Sequence, residues 1–88
     1  MPARAPAIVD PQAQHELTRL GALVRARRQE LRIAAGSVAA AANLSRQTLH
    51  RIEHGEPSVT MGAYLNTLRA LGLALSVAEL QPTQAGRR

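Results

Sequence analysis

The sequence contains no cysteine, tryptophan, phenylalanine or lysine, and its 88 residues include one tyrosine. Without cysteine, disulfide scaffolds, thiol catalysis and cysteine-ligated zinc are all excluded. With so few aromatic side chains, the hydrophobic core of this short chain must be thin. The amino terminus lacks the apolar core of a signal peptide, and no run approaches about 18 apolar residues, so we expect a soluble, cytoplasmic protein.

Apolar residues make up 45% of the chain, and most of them are leucine and alanine. Both are strong helix formers, whereas a β-sandwich needs valine, isoleucine, threonine and aromatic residues. The length allows one small domain. We therefore expect an all-α fold. The acidic residues are few and scattered, and the sequence contains no nucleophile–base pair and no phosphate-binding loop. We therefore do not expect an enzyme.

Positive charge is concentrated in one part of the chain, and all eleven basic residues are arginine. Residues 19–51 hold seven arginines and one acid, Glu30, which gives this segment a charge of +6 in a chain of +5. Such a field indicates a polyanionic partner, and guanidinium groups suit phosphates and guanine edges. The simpler alternative is a GC-rich genome that uses arginine in place of lysine everywhere. Charge alone does not separate nucleic acid from acidic lipid or an acidic protein.

Apolar spacing predicts four helices, over about 10–31, 35–42, 46–54 and 61–71. Asp10, Ser45 and Thr60 offer side-chain acceptors that begin three of them, whereas Ala34 leaves the second poorly capped. The expected helix ends are Asn43, Gly55 and Gly72.

One face of each helix is expected to be buried. The inward residues are expected to be Leu17, Leu20, Leu23, Val24, Leu31, Val38, Ala39, Leu49, Ile52, Met61, Tyr64, Leu65, Leu68 and Leu71. Gly21 weakens the first helix by about 1 kcal/mol unless another helix crosses closely there.

Residues 73–80 alternate between two faces, with Leu73, Leu75 and Val77 on one and Ser76 on the other. Alternation after a glycine predicts a strand, and a helical continuation is the open alternative. A lone strand needs a partner, so we expect residues 73–77 to pair with a second copy of the chain. The expected organisation is a disordered arm over 1–9, a helical domain over 10–72, a dimerisation strand over 73–80 and a disordered basic tail over 81–88 with Arg87 and Arg88.

Two short helices joined by a tight turn carry the most informative pattern. Asn43 turns the chain, Leu44 seals the corner, and Ser45 begins a helix whose first side chains are Arg46 and Gln47. A helix fits the major groove of duplex DNA with its amino-terminal side chains against base edges. Arginine reads guanine there, and glutamine reads adenine.

Residues 17–72 resemble the lambda-repressor-like (XRE/Cro) helix-turn-helix family. The resemblance rests on Leu20, Gly21, Arg28, Ile33, Val38, Ala39, Asn43, Leu44, Ser45, Thr48, Leu49, Arg51, Ile52, Glu53, His54, Gly55, Leu68, Leu71 and Gly72. The length, the Asp-Pro start and the strand-like end resemble the HipB-like antitoxin branch most. This resemblance implies four to five helices with a carboxy-terminal strand paired across a homodimer. It also implies a repressor of its own operon that binds a palindromic operator and a HipA-type kinase toxin.

The resemblance also implies roles for matching residues. Ser45, Arg46 and Gln47 would face bases, and Arg28 and Glu53 would form a structural ion pair. The residues expected at the DNA backbone or groove wall are Arg32, Ala35, Thr48, His50 and Arg51.

The chain departs from the family pattern at two places. The second helix usually starts with Thr or Ser and then Gln, which anchors a phosphate, but here Ala34 and Ala35 stand instead. Flanking arginines must replace that anchor. Arg32 also replaces a frequent glycine, which makes the loop tighter or more basic.

His50 and His54 have the i, i+4 spacing of metal ligands, but without a third ligand we expect neither a metal nor a cofactor. Among functions, the alternative to a repressor is a protein-binding module that mainly neutralises a kinase toxin. A basic amphipathic helix lying on a membrane is disfavoured, since Arg28 and Glu53 fit an internal pair.

Overall fold

The computed structural model describes residues 9–80, and in that span the chain forms four α-helices and an all-α fold. The helices are α1 (Pro11–Glu30), α2 (Ala35–Ala41), α3 (Arg46–Glu53) and α4 (Met61–Ala70). Each agrees with its predicted span to within one residue. The tail expected over 81–88 and the arm expected over 1–9, apart from residue 9, lie outside the described residues.

The helix starts follow the predicted capping. The Asp10 carboxylate accepts hydrogen bonds from the amides of Gln12 and Ala13 at 3.1 and 3.2 Å. Ser45 Oγ accepts from the Thr48 amide, and Thr60 Oγ1 accepts from the Ala63 amide. The second helix has no side-chain cap, because Ala34 precedes it. The cap residues therefore fix where three of the four helices begin.

All four helices end in the same hydrogen-bonding pattern. In each, the residue after the C-cap has a positive φ, and the next amide reaches back to a carbonyl of the last turn. The left-handed residues are Arg32 (φ 57°), Asn43 (62°), Gly55 (69°) and Gly72 (74°). The last three match the predicted helix ends. Arg32 is the exception, because it lacks both the freedom of glycine and the short polar side chain by which asparagine tolerates this conformation, which costs about 1–2 kcal/mol.

The core lies where the four helices meet, and it is small and aliphatic. Its fully covered members are Val24, Val38, Ala39, Leu49, Ile52, Tyr64, Leu68 and Leu71. Leu17, Leu20, Ile33, Leu44 and Leu73 are partly buried against it. The single tyrosine joins this core by its ring, while its hydroxyl donates to the Glu56 carbonyl at 2.8 Å.

Four residues predicted to face inward are exposed instead. Leu23 is 58% exposed, Leu31 41%, Met61 67% and Leu65 38%. Leu23 and Leu65 lie at the edge of an apolar stripe, while Leu31 and Met61 lie at helix ends, where so small a domain offers no opposing surface. The prediction was wrong for these four because the spacing of apolar residues identifies the apolar side of a helix but not how much of that side the neighbouring helices bury.

Residues 73–79 belong to no helix, so the helical continuation is not formed. Within the described residues this segment forms no strand either, since no neighbouring strand is present to pair with it. Leu73 is partly buried, whereas Leu75 is 45% exposed, Val77 91% and Leu80 85%. Ser76 is exposed as well. Pairing across a dimer therefore stays a prediction.

Candidate nucleic-acid interface

The turn between α2 and α3 fixes the angle between the two helices. Asn43 adopts its left-handed conformation there, and the Leu44 amide donates to the Ala39 carbonyl at 2.8 Å. Ala39 and Ala42 are buried, and Leu44 is partly buried against the core. Small side chains in α2 thus let α3 approach closely, and Leu44 closes the corner.

Backbone contacts hold α3 against α1. A Cβ atom added to Gly21 would lie 2.8 Å from both the carbonyl carbon and the carbonyl oxygen of Glu53. A Cβ added to Gly55 would lie 2.7 Å from the backbone of Leu17. These are closer than real Cβ contacts, so glycine is required at both crossings. The close helix crossing that would offset the cost of Gly21 is present.

Arg28 and Glu53 form an ion pair between α1 and α3. Nε of Arg28 donates to Oε2 of Glu53 at 2.7 Å, and Nη2 donates to Oε1 at 3.1 Å. Nη1 also donates to the Ile33 carbonyl at 3.3 Å. The hydrogen bond to Glu53 raises the pKa of Arg28 further above its ordinary value, against the opposing effect of burial. The pair therefore fixes α3 and the loop after α1 together.

The outer face of α3 is polar and exposed. Arg46, Gln47, His50 and Arg51 are all exposed. Ser45 Oγ accepts from the Thr48 amide and also lies 2.9 Å from Thr48 Oγ1, so both hydroxyls take part in the helix cap. Leu49 and Ile52 occupy the opposite, buried face of the helix. The first turn of α3 thus presents arginine and glutamine outward on a helix whose other side is fixed.

A groove of about 580 Å³ runs beside this face, between α1, α2 and α3. It is lined by Arg25, Arg28, Ala35, Arg46, Gln47, Leu49, His50, Glu53 and His54. Six of these residues were predicted to contact DNA or to form the ion pair, and Leu49 belongs to the core. Arg32, Ser45, Thr48 and Arg51 do not line the groove.

Sequence reasoning missed Arg25 as a site residue. Its spacing of three from Arg28 is the signal that was available, because residues at i and i+3 share one side of a helix. Arg46 also lies close to α2, since a Cβ added to Gly36 would be 3.6 Å from its Cδ. The glycine at the start of α2 gives this long side chain its space.

His50 of α3 and His54, the residue at its C-cap, contact each other. His54 Nδ1 lies 2.9 Å from the His50 carbonyl, and the two ring centroids are 4.3 Å apart. Within residues 9–80, no group of three metal-ligating side chains comes together. The two imidazole rings are tilted by 45° to each other, and both residues line the groove.

An apolar surface, exposed except at the partly buried Leu20, lies on another part of the molecule and is formed by α1, α4 and the segment after α4. We call it the apolar face; its residues are Leu20, Leu23, Met61, Leu65 and Leu75. Leu23 and Arg25 are about 200° apart around α1, so the apolar face and the groove border different sides of that helix. No helix among the described residues is long and apolar enough to cross a membrane.

Comparison with known proteins gives a family and a fold. The family model "Helix-turn-helix domain" matches residues 19–81. A chain of the structure "Structure of HipA-HipB-O2-O3 complex" is similar to this one, with a TM-score of 0.67 and 17% identity over 86% of this chain and 99% of that one. The structure "MDT Protein" is similar with the same values. No curated protein sequence matches the chain.

Proposed function

The chain belongs to the helix-turn-helix domain family, and from that premise we propose that it is a sequence-specific DNA-binding repressor of transcription that acts as a homodimer on a palindromic operator. The observation that carries the proposal is the first turn of α3. It exposes Arg46 and Gln47 on a helix whose buried face is locked to α1 and α2. A rigid helix with outward hydrogen-bonding side chains at its amino end is what readout in the major groove requires.

In this proposal Arg46 and Gln47 read base edges, and Ser45 approaches a base while it caps the helix. Arg51 and His50 meet the DNA backbone or the groove wall, and Thr48 keeps the cap in place beside them. Arg32 and the start of α2 at Ala35 approach a flanking phosphate. Arg32 does so as an exposed cation, and Ala35 has only its main chain to offer.

The homodimer is proposed to form through residues 73–77. Leu75 and Val77 are exposed, and they follow a helix end from which the chain continues beside the apolar face. Two antiparallel copies would satisfy each other's backbone groups and cover leucines that the single chain leaves in water. The two-fold axis would set two copies of α3 about 34–36 Å apart, one turn of DNA.

The finer proposal is that the repressor is the antitoxin of a HipBA-like operon. It is supported by the similarity of fold to a chain of the HipA-HipB-O2-O3 complex, which spans nearly the whole of that chain. The second candidate is a protein-binding module whose main act is to hold a kinase toxin. The same similarity supports it, and the two roles are compatible in one protein.

Selection from a random duplex library tests DNA readout. We expect a two-fold symmetric site with half-sites about one helical turn apart. Arg46→Ala and Gln47→Ala should each relax preference at particular positions by about 1–3 kcal/mol. Gln29→Ala, which alters an exposed glutamine on α1, is the control and should leave preference unchanged. Library enrichment with no symmetric site would contradict the proposal.

Salt dependence and co-purification separate the two candidate functions. If each protomer neutralises about three to five phosphates, log affinity should fall with log salt at a slope of about −5 to −9. Arg51→Ala should weaken binding to specific and to non-specific DNA alike. A protein that binds its neighbouring gene product stably but gives a salt-independent, featureless footprint would favour the protein-binding module.

A further inference from the structure

The groove beside α3 contains cations that the fold itself does not neutralise. Glu53 is its only acid, and both oxygens of that carboxylate are taken by Arg28. Arg25 and Arg46 make no ion pair with any residue between 9 and 80. Two unneutralised guanidinium groups, from α1 and α3, therefore face one open groove.

The position of the groove connects these cations to base reading. Gln47 lines it together with Arg25 and His50, so the groove opens on the same surface as the proposed base reader. Duplex DNA presents phosphates along both edges of the major groove, next to the base edges. A helix that reads bases through Gln47 therefore brings a phosphate to the mouth of this groove.

We propose that Arg25 and His50 hold one phosphate of the DNA backbone in this groove, next to the bases that α3 reads. The inference rests on the proposed function and adds to it a contact from α1, outside the helix-turn-helix itself. It also accounts for the start of α2, where Ala35 offers no polar side chain to anchor a phosphate. The anchor comes from the other side of the groove, from a guanidinium whose forked donors match phosphate oxygens.

The test compares Arg25→Gln with Arg19→Gln in the full-length protein. Both changes remove one positive charge from an exposed position on α1, but Arg19 lies beside Glu16 and Leu23, away from the groove. Binding to a selected duplex and to an unrelated duplex is measured by fluorescence anisotropy over a range of salt concentrations. Circular dichroism and thermal melting check that both variants fold as the parent does.

Arg25→Gln should weaken binding to both duplexes about tenfold and make the salt slope shallower by about 0.9 per protomer. Arg19→Gln should change affinity less than about twofold and leave the slope unchanged. Arg25→Lys should recover part of the affinity, because it restores the charge but not the fork.

Three outcomes would overturn the inference. If the parent protein binds duplex DNA and the two glutamine variants behave alike, the groove phosphate is wrong while the proposed function stands. If the parent binds no duplex at low salt, both fail. The last outcome comes from titration with inorganic phosphate at constant ionic strength. If the protein binds free phosphate and Arg25→Gln abolishes that binding, but Arg25→Gln leaves the salt dependence of DNA binding unaltered, the groove binds free phosphate and not the DNA backbone.

Discussion

Arg28 of α1 and Glu53 of α3 are joined by two parallel hydrogen bonds, at 2.7 and 3.1 Å, and both side chains are largely buried. The pair links the longest helix to the helix that carries Arg46 and Gln47. Arg28 uses a third donor on the Ile33 carbonyl, so the loop that leads to α2 is fixed by the same guanidinium.

Removing one member of this pair should be costly. Arg28→Ala leaves the Glu53 carboxylate buried without its partner and should lower the free energy of unfolding by about 3–5 kcal/mol. The double variant Arg28→Met with Glu53→Leu should lose much less, because no charge is then left buried. Urea unfolding measures both. Equal losses in the single and double variants would show that packing, rather than the charge, is the source.

Gly21 and Gly62 give opposite outcomes for the same substitution. Gly21→Ala forces a methyl group against the backbone of Glu53 and should destabilise the protein by about 1–3 kcal/mol despite the better helix propensity. In Gly62→Ala the added methyl group lies in open space beside α4, with Thr60 Oγ1 as its nearest neighbour at 4.0 Å. This substitution should stabilise the protein by about 0.5 kcal/mol. Thermal unfolding distinguishes the two, and a stable Gly21→Ala protein would refute the tight crossing.

Arg32→Gly should separate stability from DNA binding. The change relieves the left-handed conformation at φ 57° and should raise the free energy of unfolding by about 0.5–1 kcal/mol. The loss of an exposed cation at the proposed phosphate contact should at the same time make the salt slope of DNA binding shallower. Urea unfolding and anisotropy on the same preparation test both, and a glycine variant with unchanged DNA binding would remove Arg32 from the interface.

Tyr64 should make the protein sensitive to alkali. Burial, and then the Glu56 carboxylate, raise the pKa of Tyr64 above its ordinary value of 10.0. The folded state therefore holds this proton more tightly than the unfolded state, so stability is complete below about pH 10 and falls as the pH rises through the folded pKa. Urea unfolding between about pH 9 and 11 measures the loss.

The sequence makes this measurement clean, because it has no lysine or cysteine to titrate in the same range. Tyr64→Phe is the control. This substitution should lower the free energy of unfolding by about 1–3 kcal/mol at neutral pH, since the Glu56 carbonyl loses its donor. The stability of the variant should not change with pH across the alkaline range. A parallel alkaline loss in the phenylalanine variant would exclude Tyr64 as the cause.

Ser76→Pro should break the proposed dimer without unfolding the helices. Proline removes a backbone donor from the middle of the expected strand, while residue 76 is exposed and outside the core. Circular dichroism should stay helical, sedimentation should shift to monomer, and operator affinity should fall at least about tenfold. Ser76→Ala keeps the donor and should remain dimeric. A proline variant that is still dimeric would place the interface elsewhere.

Local chemistry explains why most of the fold was predictable. Asp10, Ser45 and Thr60 act as caps within three residues of their own position, so the helix starts could be identified from short-range signals. The long-range consequences were harder to predict. The exposure of Leu23 and Met61 depends on how far neighbouring helices extend, which spacing along one helix does not encode.

The same limit applies to the site. The Arg28–Glu53 pair was expected from family resemblance, and Arg46 and Gln47 from the start of a helix. Arg25 reaches the groove only because α1 crosses α3 at Gly21, a tertiary relationship. The left-handed conformation of Arg32 was not predicted either, because arginine itself carries no such signal; the glycine frequent at this position in the family was the signal available.

The glycine crossings at Gly21 and Gly55 have a consequence for engineering. They fix the orientation of α3 through the backbone, whereas the side chains of residues 46, 47 and 50 are exposed and lie outside the core. Those positions can be randomised together as a library, with the rest of the chain as a constant scaffold. If the proposed function holds, the domain is a small, cysteine-free scaffold on which new operator preferences can be selected without re-optimising the fold.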